Sequence, residues 1–168
     1  MILLCPMKTG LGAVLLLSLI VVPEGCSKVS EASAEGEKSH AQAASGPARP
    51  SLENANYRAE MLSSGPCKKD STCTAEVRVE AKGEYHINDK YPYRFKLEDP
   101  PPQGLKYPKP VVGKEDGTMD EHKVVLKVPF VSDATGEKKI AGTLSLSVCS
   151  AANCLMDKQP LAVTVKVE

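Results

Sequence analysis

The chain has no tryptophan, only two phenylalanines and five tyrosines, so aromatics make up 4% of its 168 residues. Hydrophobic content is nevertheless ordinary at 42%, enough for one domain plus a tail. Net charge is also missing: 21 basic residues balance 21 acidic ones. Loss of an N-terminal leader would remove Lys8 and Glu24, one of each sign. A neutral chain offers no electrostatic case for nucleic acid or for an anionic membrane surface, so no nucleic acid partner is expected. No sustained helical period runs through the sequence, and no internal repeat is visible. There is no Ser-His-Asp constellation, no carboxylate pair and no phosphate-cradling glycine loop, and no cofactor is expected.

What is present begins with a leader. Lys8 precedes the apolar stretch from Gly10 to Val22, the charged and hydrophobic regions of a secretory signal. The stretch is short for a spanning helix, which needs about 20 residues. Met7 is a second candidate start, because Met7-Lys8 opens a conventional signal and would leave out Cys5. Val22-Pro23-Glu24-Gly25-Cys26-Ser27 resembles a bacterial lipobox, with small Gly25 before the cysteine to be lipidated. Pro23 and Glu24 depart from the usual residues, and Ser27 resembles the pattern of outer-membrane sorting. The competing reading is cleavage after Ala32-Ser33-Ala34 of a soluble secreted protein. The anatomy assigns residues 1–25 to a lipoprotein signal peptide, with Cys26 as the lipid-carrying first mature residue. It places the protein in the cell envelope as a periplasm-facing, outer-membrane lipoprotein, held to the membrane through that anchor.

Residues 26–56 are rich in Ala, Ser, Glu, Gly and Pro and nearly lack large apolar side chains. Such a segment buries too little surface to offset its ordering entropy, and it reads as a flexible tether. His40 falls there as a solvated polar residue. Residues 57–168 alternate instead. Thr74–Ala81, Tyr93–Leu97, Val124–Phe130, Ile140–Val148 and Leu161–Val167 each place apolar side chains on one face and mostly polar ones on the other. Period-two alternation argues half-buried antiparallel strands. Lys82-Gly83, Asp99-Pro100-Pro101-Pro102, Asp116-Gly117 and Thr135-Gly136 mark turns between them. One apolar face per strand needs a second sheet to cover it. The expected fold is an all-β, immunoglobulin-like antiparallel sandwich of roughly seven strands.

Two local cysteine pairs carry the chemistry. Cys149 and Cys154 enclose Ser150-Ala151-Ala152-Asn153, at the end of one alternating run and the start of the next. An exported chain would hold these thiols in an oxidising compartment. Thiol–disulfide exchange needs an accessible sulfur, an attacking thiolate and a second thiol to resolve the mixed disulfide, and this pair meets the last requirement. No Lys, Arg or His lies within the loop, and Lys158 is the nearest cation in sequence. An inert staple remains the other reading; so short a loop contributes roughly 2 kcal/mol. Cys67 and Cys73 enclose turn formers ahead of the first alternating strand and read as a structural disulfide. A second redox site and crossed pairing stay open, since four cysteines allow three connectivities. The spacings fall outside the usual zinc knuckles. Copper(I) is a better metal candidate, because Cys149, Cys154 and Met156 are soft sulfur ligands, to which His86, Met119 and His122 could add. His86 on its own reads as a residue satisfying backbone groups, and Tyr85 and Tyr91 as packing residues at the sandwich edge.

Glu84-Tyr85-His86-Ile87-Asn88, then Leu105-Lys106-Tyr107-Pro108-Lys109-Pro110, then Cys149 to Cys154 before a valine-rich strand follow one another in an order that resembles a known family. It is that of the N-terminal periplasmic domain of the thiol:disulfide interchange protein DsbD and its stand-alone disulfide-bond corrector relatives. The resemblance spans Thr74 to Glu168. It implies an immunoglobulin-like domain whose Cys149–Cys154 pair relays reducing equivalents between thioredoxin-like or membrane thiol:disulfide proteins. The loop between the cysteines, Ser150 to Asn153, is shorter here than in the best-known member of that family. No aromatic cap loop with nearby carboxylates is evident, and its counterpart, Tyr107 to Val112, is rich in Pro and Lys instead. The alternative is an inert envelope or binding lipoprotein with two structural disulfides, or a periplasmic copper-binding protein.

Overall fold

The computed structural model describes residues 47–168. The leader, Cys26, His40 and the tether as far as residue 46 lie outside the described residues. Among the described residues there are eleven strands and one short 3-10 turn, Lys114–Asp116. The strands are β1 (Ser51–Glu53), β2 (Tyr57–Ser63), β3 (Thr72–Ala81), β4 (His86–Ile87), β5 (Arg94–Leu97) and β6 (Leu105–Lys106). After them come β7 (Val111–Gly113), β8 (Gly117–Met119), β9 (Lys123–Ser132), β10 (Gly136–Cys149) and β11 (Cys154–Val167).

All pairings between strands are antiparallel, in two sheets. The first runs β1-β2-β3-β9-β6, with β8 also on β9; the second runs β11-β10-β5-β7, with β4 also on β10. Along the chain, β2, β3, β9 and β8 take the places A, B, E and D of an immunoglobulin domain. β11, β10, β5 and β7 take G, F, C and C′. The described residues therefore form an immunoglobulin-like sandwich, all-β as the alternation requires. The five alternating segments form β3, β5, β9, β10 and β11, most extending a few residues beyond the alternating stretch.

The apolar sets meet between the sheets. Val77 and Val79 of β3, Leu126 and Phe130 of β9, Phe95 of β5 and Leu144 and Leu146 of β10 are all fully buried in one cluster. Tyr57, Ala59 and Met61 of β2 join them, alternating with Arg58 and Glu60. That alternation is a readable signal for a strand in 57–63. Gly142 admits a close approach: a β-carbon there would lie 2.5 Å from the Lys96 carbonyl oxygen and 2.7 Å from the Phe95 ring. Between the sheets, the Tyr57 hydroxyl donates to the Asp157 carboxylate, which also accepts from Gln159 Nε2 at 2.7 Å.

The domain begins before residue 57. Arg49 bridges Leu161, and β1 pairs with β2 through Ser51–Glu53, within the stretch expected to be tether. These residues bury little, but their backbone groups find partners on the edge of a finished sheet. Ala162 N donates to Arg49 O at 2.9 Å, and Met61 N to Pro50 O at 2.7 Å. Composition cannot show such edge pairing. Nor can it show β4, β6, β7 and β8, which are two or three residues long, too short to display a period.

Candidate functional site

The site grows out of the longest ladder among the described residues. β10 and β11 pair without interruption from Gly136 opposite Val167 to Cys149 opposite Cys154. The hairpin closes through Ser150 and Asn153. Ser150 N donates to Asn153 O at 2.8 Å, and the Ser150 hydroxyl accepts from Ala152 N at 3.2 Å and Asn153 N at 3.3 Å. This hydroxyl-capped turn brings the Cys149 and Cys154 α-carbons to 4.0 Å, and their sulfurs form a disulfide.

The pair sits on the outer face of the second sheet. Leu144, Leu146 and Val148 point into the core, so Ser145, Ser147 and Cys149 point away from it. The two cysteines differ in exposure. Cys149 retains only 6% of its surface, whereas Cys154 is exposed beside exposed Ala151, Ala152 and Asn153.

β4 contributes the neighbour that covers the other side. Ile87 lies opposite Val148 and His86 opposite Cys149. Directly opposed residues of an antiparallel pair share a face, with β-carbons about 5 Å apart. One row of the sheet thus reads Cys154, Cys149, His86. The fold anchors β4 from both directions. Ile87 N donates to Glu121 O at 2.7 Å, and Asn88 N donates to Ser147 O at 3.2 Å. Ser147 O also accepts from the buried Tyr93 hydroxyl, and Tyr91 packs edge-on against Tyr93 with ring centroids 6.0 Å apart. Burial pushes the Tyr93 phenol up to about 12. Tyr85 and Tyr91 pack at the margin of the core, as packing residues would.

Met156 stands one row below Cys154, opposite Ser147, and Lys158 one row further, opposite Ser145. Met119 ends β8, and exposed His122 sits in the following turn, which abuts β4 through Glu121. There Ile87, Asp89, Met119, Asp120 and Glu121 line an open cleft of about 400 Å3. The suggested copper ligands are therefore spread over the outer face and this turn, with the two thiols joined to each other. Among the described residues no group of three or more His, Cys, Asp or Glu is gathered to hold a metal ion. The segment expected to stand in for a cap, Tyr107 to Val112, lies elsewhere. Its β7 end pairs with β5 opposite Arg94–Lys96, in register with Thr143–Ser145 of β10 and away from Cys149.

Cys67 and Cys73 form the second disulfide, with α-carbons 5.4 Å apart, and both residues are buried. Cys67 bridges Val167, Glu168 N donates to Cys67 O at 2.8 Å, and Lys69 N donates to Glu168 O at 2.8 Å. The loop thus clasps the end of β11 to the first sheet.

Among the described residues no helix is long and apolar enough to cross a membrane. No family model matches the chain, and no curated protein matches it. Among solved structures, the chain is similar to the ASH / PapD-like domain of human CEP192 (PapD-like domain 7), at 10% identity and a TM-score of 0.29, covering 76% of this chain and 96% of that one.

Proposed function

We propose that this domain exchanges disulfides with protein partners through Cys149 and Cys154, relaying reducing equivalents. One observation carries the reading: the disulfide joins one covered and one exposed cysteine, and the covered one faces His86 in the same row. An inert staple needs neither the asymmetry nor the imidazole. The partner's thiolate attacks the Cys154 sulfur, forming an intermolecular disulfide. The Cys149–Cys154 bond breaks, and its electron pair leaves on the Cys149 sulfur, where His86 is placed to supply a proton. A second thiolate of the partner then attacks the partner's own sulfur in the mixed disulfide, and the pair of electrons leaves on Cys154. The partner's dithiol becomes a disulfide and the domain becomes a dithiol. Run in reverse, the same steps reduce the next protein, and the relative potentials set the direction.

This reading takes thioredoxin-like or membrane thiol:disulfide proteins as partners. It keeps the lipid anchor at Cys26 and a periplasm-facing place in the cell envelope, in line with the resemblance to the DsbD N-terminal domain. Cys67–Cys73, buried and clasped to the C-terminus, serves as the structural disulfide.

Two measurements test the proposal. Equilibration against a thiol redox buffer should give the Cys149–Cys154 pair a potential well above about −300 mV, the region of inert structural disulfides. Cys149→Ser, left with a free thiol at Cys154, should then attack the disulfide of an oxidised thioredoxin-like protein and stay trapped as a mixed disulfide, because the resolving thiol is gone. Cys154→Ser should trap far less, because Cys149 is covered. A pair that stays oxidised below that potential, with no trapping by either variant, leaves an inert sandwich with two staples.

A further inference from the structure

The two outer faces of the sandwich carry their charges differently. On the first sheet, cations and carboxylates pair within and across strands: Arg58 with Glu60 at 2.8 Å, Arg78 with Glu76 at 2.7 Å, Lys123 with Glu80 at 2.8 Å. On the second sheet, in the rows just below the disulfide, they do not; the Lys166–Glu168 pair at 3.7 Å lies at the far end of β11. Lys158 and Arg94 stand opposite Ser145, one on either side, and Lys96 stands opposite Thr143 in the next row. All three cations are exposed, and none enters an ion pair among the described residues. Of the nearby carboxylates, exposed Glu98, two residues beyond Lys96, stands outside every ion pair of the described residues, and the others are engaged elsewhere. Asp157 turns inward to Tyr57, and Glu115 and Asp116 hold Lys109. The strand between the cations presents only short hydroxyl side chains, so nothing tall keeps a flat partner off the sheet. Val111, the exposed large hydrophobic residue of the domain at 38%, borders the same patch opposite Lys96.

We infer that this face is the docking platform for the exchange partner, and that the partner presents carboxylates around its reactive cysteine. The inference rests on the exchange reading and extends it to partner choice. A flat patch of unpaired cations beside a reactive bond draws anions to it and orients them, which raises encounter rates by about tenfold or more at low salt. It does so without deep hydrophobic burial, which suits a relay that must release each partner. A protein fits this patch better than a lipid surface, because the cations lie in register with short side chains and Val111 is the single exposed large apolar residue that borders them among the described residues.

The probes are two peptides, each with a single cysteine, one flanked by aspartates and the other by lysines. Each peptide's rate of reducing the Cys149–Cys154 bond is divided by its rate toward a small neutral disulfide, which removes differences in thiol reactivity. The wild-type chain should favour the aspartate peptide by about tenfold at low salt. High salt should erase the preference. Arg94→Glu/Lys96→Glu/Lys158→Glu should reverse it, while dithiothreitol reduces both proteins equally. Should the triple variant fold poorly, Arg94→Gln/Lys158→Gln should show a graded loss of preference. Equal peptide preference in wild type and variant, with dithiothreitol still effective, overturns the docking face and leaves exchange standing. Failure of dithiothreitol and both peptides overturns both. Binding to phosphatidylglycerol vesicles that the triple variant loses, without any peptide preference, assigns the face to lipid and overturns the proposal.

Discussion

Cys149 and His86 are register partners across β10 and β4, on the face of the second sheet that also carries Cys154. In the proposed exchange, negative charge would develop on the sulfur of Cys149, the less exposed of the two residues, where solvent can do little to stabilise it. His86 is the ionisable residue directly opposite that cysteine in the sheet.

His86→Gln should therefore slow reduction of the disulfide by roughly tenfold, at or below the low end of what a positioned acid contributes. Thermal stability should stay close to wild type, because Ile87 and the backbone bonds of β4 remain. A variant that melts early with an unchanged rate would make His86 a packing residue.

Removing the other disulfide should separate stability from exchange. Cys67→Ala/Cys73→Ala opens a short exposed loop whose two buried cysteines clasp the end of β11, and should cost about 2 kcal/mol in denaturant melts. The rate of exchange at Cys154 should not change at a temperature where the variant is folded.

Gly142→Ala tests the core beneath the site. The added methyl would press on the Lys96 carbonyl at 2.5 Å and the Phe95 ring at 2.7 Å, neither of which can swing away. Overpacking of this kind costs about 1–3 kcal/mol, to be read as a lower denaturant midpoint.

Alkaline pH should loosen the sandwich. Burial pushes the Tyr93 phenol up to about 12 from an ordinary 10.0, and burial also raises Tyr107, whose buried hydroxyl has no partner among the described residues, to about 12. The folded chain keeps protons that the unfolded chain gives up. The stability is thus whole below pH 10 and falls as pH rises towards 12. Tyr93→Phe should lower stability by about 1 kcal/mol at neutral pH, through the lost hydrogen bond to Ser147. It should also make the alkaline decline shallower. Denaturant midpoints measured through that window for both proteins check the two effects.

Local pattern determined the alternating strands β3, β5, β9, β10 and β11 and their faces. Alternation in Thr74–Ala81 or Ile140–Val148 is decided by one segment's own side chains, so each could be assigned before any neighbour was known. The Cys149–Cys154 partnership was legible for the same reason, because a tight hairpin turn is a local structure. Only the tertiary fold decided what surrounds the pair. His86 reaches Cys149 through sheet register, which depends on how distant strands align, and no spacing in the sequence encodes that distance. The same holds for Arg94 and Lys158, which meet across Ser145 from separate strands. The difference between covered Cys149 and exposed Cys154 is likewise tertiary. Cys149 lies on a strand flanked on both sides at its end, by β4 and β11, whereas Cys154 opens the edge strand of its sheet.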